Sequence, residues 1–129
     1  MNKYYTVKII QETFNWNTET KNSYQIEERN FAIKEDAENF GEKCEKKSYK
    51  PDVSIDIDYS YILEENQSNK VFFRLNYFYY RKNNFSEKYE TISKIKYFQS
   101  NQDLNSFINK NKESLKGFRI DYIEVLFFE

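Results

Sequence analysis

The chain has 129 residues, the size of one ordinary domain, with 20 basic and 21 acidic side chains and a formal net charge of −1. A chain of this mass buries about two-thirds of the surface its unfolded form exposes, enough for a core without disulfides or metals. With no histidine, the commonest general base and metal ligand are missing, and the lone Cys44 excludes a disulfide framework or a cysteine zinc site. Residues 1–17 hold no apolar run of the length that a signal peptide or membrane span needs, so the expected setting is a reducing cytoplasm.

Twelve Phe, twelve Tyr and twelve Ile, against two Gly and one Pro, favour strands over disorder, because aromatic and β-branched side chains suit a half-buried pleated surface. In chain order, Tyr5, Val7 and Ile9 alternate with Tyr4, Thr6, Lys8 and Ile10, which predicts a first strand from Lys3 to Thr13. The polar stretch Asn15 to Asn22 reads as a hairpin loop, and Tyr24 to Phe31 as a second strand. The period then changes. Ile33, Ala37, Phe40 and Cys44 form one stripe of an amphipathic helix, with Glu35, Asp36 and Glu38 early and Lys46 and Lys47 late, as the helix dipole favours. Pro51 stops it.

Val53, Ile55, Ile57, Tyr59, Tyr61 and Leu63 alternate with polar residues and predict a third strand with one buried face. A turn at Asn66 to Asn69 leads into a fourth strand, Lys70 to Tyr80, and a turn at Arg81 to Asn84 into a fifth, Tyr89 to Phe98. Ser100 and Asp103 have the spacing of a capping box ahead of a second amphipathic helix marked by Leu104, Phe107, Ile108, Asn111 and Leu115. Gly117 suits the position after its end, and Arg119 to Phe128 reads as the last strand.

The resulting order, ββαβ followed by ββαβ, suggests an internal pseudo-repeat of residues 1–65 and 66–129 within one domain. An offset of 67 lays Phe31 on Phe98, Phe40 on Phe107, Val53 on Ile120 and Ile55 on Tyr122. The expected fold is α+β: two ββαβ units forming a mainly antiparallel sheet with both helices on one face, or else two small sheets sharing a core. Ile55, Ile57, Phe40 and Phe107 are the expected core.

Catalysis has little to stand on. Asp52, Asp56 and Asp58 fall on one face of the third predicted strand, but an oxygen-only metal site needs about six ligands, and a solvated strand face explains them as well. Cys44 sits on an apolar stripe with no histidine to activate it, and two glycines cannot build a phosphate loop. The expectation is a protein that is not an enzyme and takes no cofactor, metal or small-molecule substrate.

The fourth strand carries the binding signal. If Val71, Phe73, Leu75, Tyr77 and Tyr79 face the helices, then Phe72, Arg74, Asn76, Phe78 and Tyr80 face outward and lead into Arg81 and Lys82. Interfaces concentrate aromatic and arginine residues in this way, and RNA-binding sheets stack bases on such aromatics, with phosphates lying against Arg74, Arg81 and Lys82. The competing reading is a central strand buried on both faces, or a dimer interface. Charge is also uneven: residues 1–65 carry 14 acidic and nine basic side chains, and residues 66–129 carry 11 basic and seven acidic.

In its small size, aromatic richness, lack of catalytic residues and Lys/Asn/Phe/Tyr-heavy, AT-rich coding style, the chain resembles the anti-CRISPR inhibitors carried by phages and prophages. The resemblance rests on no motif and carries over no residue. It implies a non-catalytic cytoplasmic protein that binds a bacterial RNA-guided nuclease, with a type VI-B RNase effector as the best fit, and interferes with guide or target RNA binding. The partner is then the effector protein or its guide-RNA complex, with RNA contact and no membrane. Two other classes fit the residues: an immunity protein or antitoxin that neutralises a toxin nuclease, and a small RNA-binding module.

Overall fold

A computed structural model describes residues 2–128, which form seven strands and two helices of the α+β class with antiparallel strand pairing. They are β1 (Asn2–Asn15), β2 (Thr20–Phe31), α1 (Lys34–Glu45), β3 (Tyr49–Asp52), β4 (Ile55–Ser68), β5 (Val71–Lys82), β6 (Tyr89–Phe98), α2 (Asn101–Ser114) and β7 (Arg119–Phe127). The described residues divide into two compact units, 3–67 and 68–128.

In the first unit the strand order is β3-β4-β1-β2. The side-chain contacts Thr6–Asn66, Gln11–Tyr59 and Trp16–Asp56 descend along β4 as they ascend along β1, so that pair is antiparallel too. Val7, Ile9, Phe31, Ala37 and Cys44 make the buried core, and the Phe40 ring lies 5.6 Å from Phe31. Gly41 is required where α1 meets the sheet, because the Tyr61 ring fills the space a Cβ would take.

Several expectations change here. The polar segment expected as a loop from Asn15 to Asn22 is a tight turn at 16–19 flanked by a long hairpin, in which Thr13 pairs with Asn22 and Asn15 with Thr20. Ile33 is the exposed N-cap of α1 rather than part of its buried stripe. Pro51 does more than end a helix, since it lies in the additional short strand β3, which makes this unit ββαββ. Val53 is almost wholly exposed, in the turn between β3 and β4, and Ile55, Ile57 and Phe40 are half-buried rather than buried.

In the second unit the order is β7-β5-β6, with β5 paired antiparallel to both neighbours. β6 and β7 are therefore parallel, joined through α2 with β5 between them, a split β-α-β connection. Val71, Phe73, Leu75, Phe98, Leu104, Ile123 and Val125 form the core, and half-buried Phe107 touches Phe98 and Tyr77 at 5.2 and 5.5 Å. The Ser100 hydroxyl caps α2 by accepting the Asp103 N–H at 3.1 Å.

The two units share detail at the offset of 67. Arg29 lies 4.7 Å over the Phe40 ring beside Phe31, and Lys96 lies 4.4 Å over the Phe107 ring beside Phe98. Strand orders β4-β1-β2 and β7-β5-β6 also match: the first strand of each unit is central, the second on one side, the last on the other.

Candidate functional site

The alternation along β5 is visible as burial. Val71, Phe73 and Leu75 are buried, and Tyr77 on the same side meets Phe107 of α2 and Phe118, each at 5.5 Å between ring centres. Burial pushes the Tyr77 phenol above its ordinary pKa. Phe72, Arg74, Asn76, Phe78 and Tyr80 lie on the opposite face, and the strand pairings set their neighbours in rows: Tyr97–Arg74–Glu124, Ile95–Asn76–Tyr122 and Ser93–Phe78–Arg119.

Arg74 is not the open phosphate-binding cation the sequence suggests. Its Nη2 lies 2.7 Å from a carboxylate oxygen of buried Glu124, and that hydrogen bond holds the guanidinium pKa above its usual value despite desolvation. Phe72 is half-buried, its ring 5.1 Å from Phe128 and 6.3 Å from Tyr97. Phe78 and Tyr80 are half-buried as well, each with the Arg119 guanidinium 5.9 Å from its ring centre. The Tyr80 amide donates to the Lys116 carbonyl at 2.7 Å, which fixes the crossing of β5 with the segment after α2.

Two donors on this face have no acceptor. Among the described residues, the buried side-chain nitrogens without a hydrogen-bond partner are Arg74 Nε and Asn76 Nδ2. They stand two residues apart on one face of one strand, Asn76 where the β5–β7 register shifts. An unmet buried donor costs about 1–3 kcal/mol, so the pair is a local cost within the face, and both atoms are closed to an incoming acceptor.

The exposed part of the face lies beside β5 rather than on it: Ile95 and Tyr97 on β6 and Phe128 after β7 are all more than half exposed. Beyond them the β5–β6 hairpin carries exposed Arg81 and Lys82, still within β5 rather than in a turn, and a fully exposed Phe85 at its tip. Arg81 makes an exposed ion pair with Glu90 at 3.2 Å, and Arg81, Lys82, Asn83, Asn84, Phe85 and Glu90 line a shallow hollow. Tyr97, Ile95, Phe128, Phe85 and Arg119 were not readable as site residues, because which residues stand opposite β5 depends on register. Phe85 alone had a local signal, an aromatic inside a polar turn.

The carboxylates expected on one strand face are divided between two strands. Asp52 lies in β3, where its carboxylate accepts the Ser54 N–H, while Asp56 and Asp58 are on β4. Asp56 accepts the Trp16 indole N–H at 2.8 Å and pairs with Lys50 at 3.5 Å. No group of three His, Cys, Asp or Glu residues among the described residues could hold a metal ion, and no helix there is long and apolar enough to cross a membrane. Cys44 is buried, and desolvation raises its thiol pKa. No protein-family model, curated protein or solved structure matches the chain.

Proposed function

We propose that this protein acts by occupation and not by turnover, as a non-catalytic inhibitor of the anti-CRISPR kind that binds an RNA-guided RNase effector. The observation that carries the binding surface is the set of exposed apolar side chains Ile95, Tyr97 and Phe128 beside the half-buried aromatics of β5. These apolar side chains supply desolvated contact, and Phe85 with Arg81 and Lys82 extends the grip to the RNA. The choice of effector rests on the resemblance in size and composition. On this reading the two units are copies of one ββαβ plan, the first enlarged by β3; the repeated clamps at Phe31/Phe40 and Phe98/Phe107 support it.

Titration against a type VI-B effector tests the reading. Inhibition should saturate at a fixed molar ratio and survive chelators; complete inactivation at strongly substoichiometric amounts would sink it. Arg81→Glu combined with Lys82→Glu should change stability by no more than about 1 kcal/mol, since the one ion pair lost is exposed. The same double variant should bind and inhibit much more weakly. Undiminished inhibition with an intact fold removes the hairpin from the site.

A further inference from the structure

β6 stands at the end of the strand order in its unit, hydrogen-bonded to β5 along one side. Its ten residues hold a continuous register with β5 from Phe98 to Tyr89, without a bulge, proline or glycine. Edge strands are normally blunted by bulges, prolines or charges, because a row of open N–H and C=O groups templates pairing with another chain, and of these devices β6 has the charges Glu90, Lys94 and Lys96 alone. β3 shows the usual precaution, being four residues long with Pro51 inside it. β6 instead leaves Tyr89, Ile95 and Tyr97 exposed at 54, 58 and 56%.

We infer that β6 pairs antiparallel with β6 of a second copy of this chain, about a two-fold axis through Ser93. Residues directly opposite in such a pair lie on the same face, which limits the register to steps of two. With Ser93 opposite itself, Tyr89 faces Tyr97, Thr91 faces Ile95, Glu90 faces Lys96 and Ile92 faces Lys94, each pair made twice. One step in one direction sets Lys94 opposite itself, and one step in the other sets Lys88 opposite Lys96. The step that brings Lys88 to Lys96 also joins Glu90 to Lys94, so the centred register is the one that joins opposite charges without bringing like charges together, while the three exposed apolar side chains stay on one side in every register. Lys96 lies over Phe107 and Glu90 beside Arg81, so both charges are already held at the helix-facing side of the strand. The two-fold also sets the outer faces of both copies on the same side, so the contact surface proposed above is doubled rather than hidden. This inference goes beyond that function and stands without it, since its test involves no nuclease.

Sedimentation equilibrium of the full chain, alone, reads the outcome. The wild type should dimerise reversibly. Glu90→Lys and Lys96→Glu, each placing two like-charge pairs across the axis, should weaken the dimer about tenfold. The double variant with both changes should restore it. Glu90 is exposed and outside the core, so Glu90→Lys keeps the test readable even if Lys96→Glu loosens α2 through the lost contact with Phe107; melting curves report which has happened. A wild type that stays monomeric at every concentration, singles that dimerise like the wild type, or a double variant that does not recover would each overturn the inference.

Discussion

At Gly117 the backbone is left-handed, with φ of +68°, and the Tyr80 ring occupies the space in which a Cβ would sit. Gly117→Ala therefore meets two penalties, one conformational and one steric, and should cost about 1–3 kcal/mol in a urea titration. An unchanged midpoint would mean that the Tyr80 ring swings aside freely. Cys44 makes a different prediction at this scale. Its thiol pKa is raised in the folded protein, so the thiol's contribution to stability is complete below the unfolded-state pKa and is lost as pH rises through the folded one. The native protein should resist alkylation at neutral pH, and Cys44→Ala should lose less stability than the wild type on going to alkaline pH. Rapid labelling without unfolding would show the site to be open.

Elements were legible where one face is buried and the other wet. β5 begins where its alternation does, with Val71, Phe73 and Leu75 buried between less buried neighbours, and Ser100 announces α2, because both follow from local side-chain chemistry. The end of the first hairpin was not legible: Thr20 to Gln25 is exposed on both faces, so its strand carries no hydrophobic alternation to read. β3 has four exposed residues around a proline and offers even less. Val53 shows the opposite error, an apolar residue in phase with a strand that turns away before reaching it. The stripe on α2 is graded in the same way, with Leu104 fully buried and Phe107 half-buried against Tyr77 and Phe98. Leu104→Ala should cost about 3 kcal/mol and Phe107→Ala about 2 kcal/mol despite its larger ring. The reverse order, by calorimetry or denaturant, would show that ring packing outweighs burial here.

For the whole molecule, the candidate surface was half visible in the sequence. The two faces of β5 follow from its own alternation, but Tyr97, Arg119, Phe128 and the neutralising Glu124 come from strands whose register no local pattern encodes. Charge divides with the two units, the second carrying the basic excess, and Lys82 and Arg119 on the outer face, with Arg81 on the reverse of the same hairpin, are cations near the surface proposed for RNA. Three such phosphate contacts predict that log affinity for the RNA-bearing effector falls with log salt at a slope near about −2, and that the Arg81→Glu, Lys82→Glu variant flattens it. A slope near zero in the wild type would leave only protein contacts. The split β-α-β connection has a consequence for how the chain is made. β5, the most aromatic strand, gains its second neighbour only when β7 has been synthesised, after the hairpin and all of α2. Until then one long side of it stands open on the ribosome or in any truncated product, a sticky nascent edge closed late by a non-local pairing. Nonsense or proteolytic loss of β7 should thus produce insoluble material rather than a smaller folded unit.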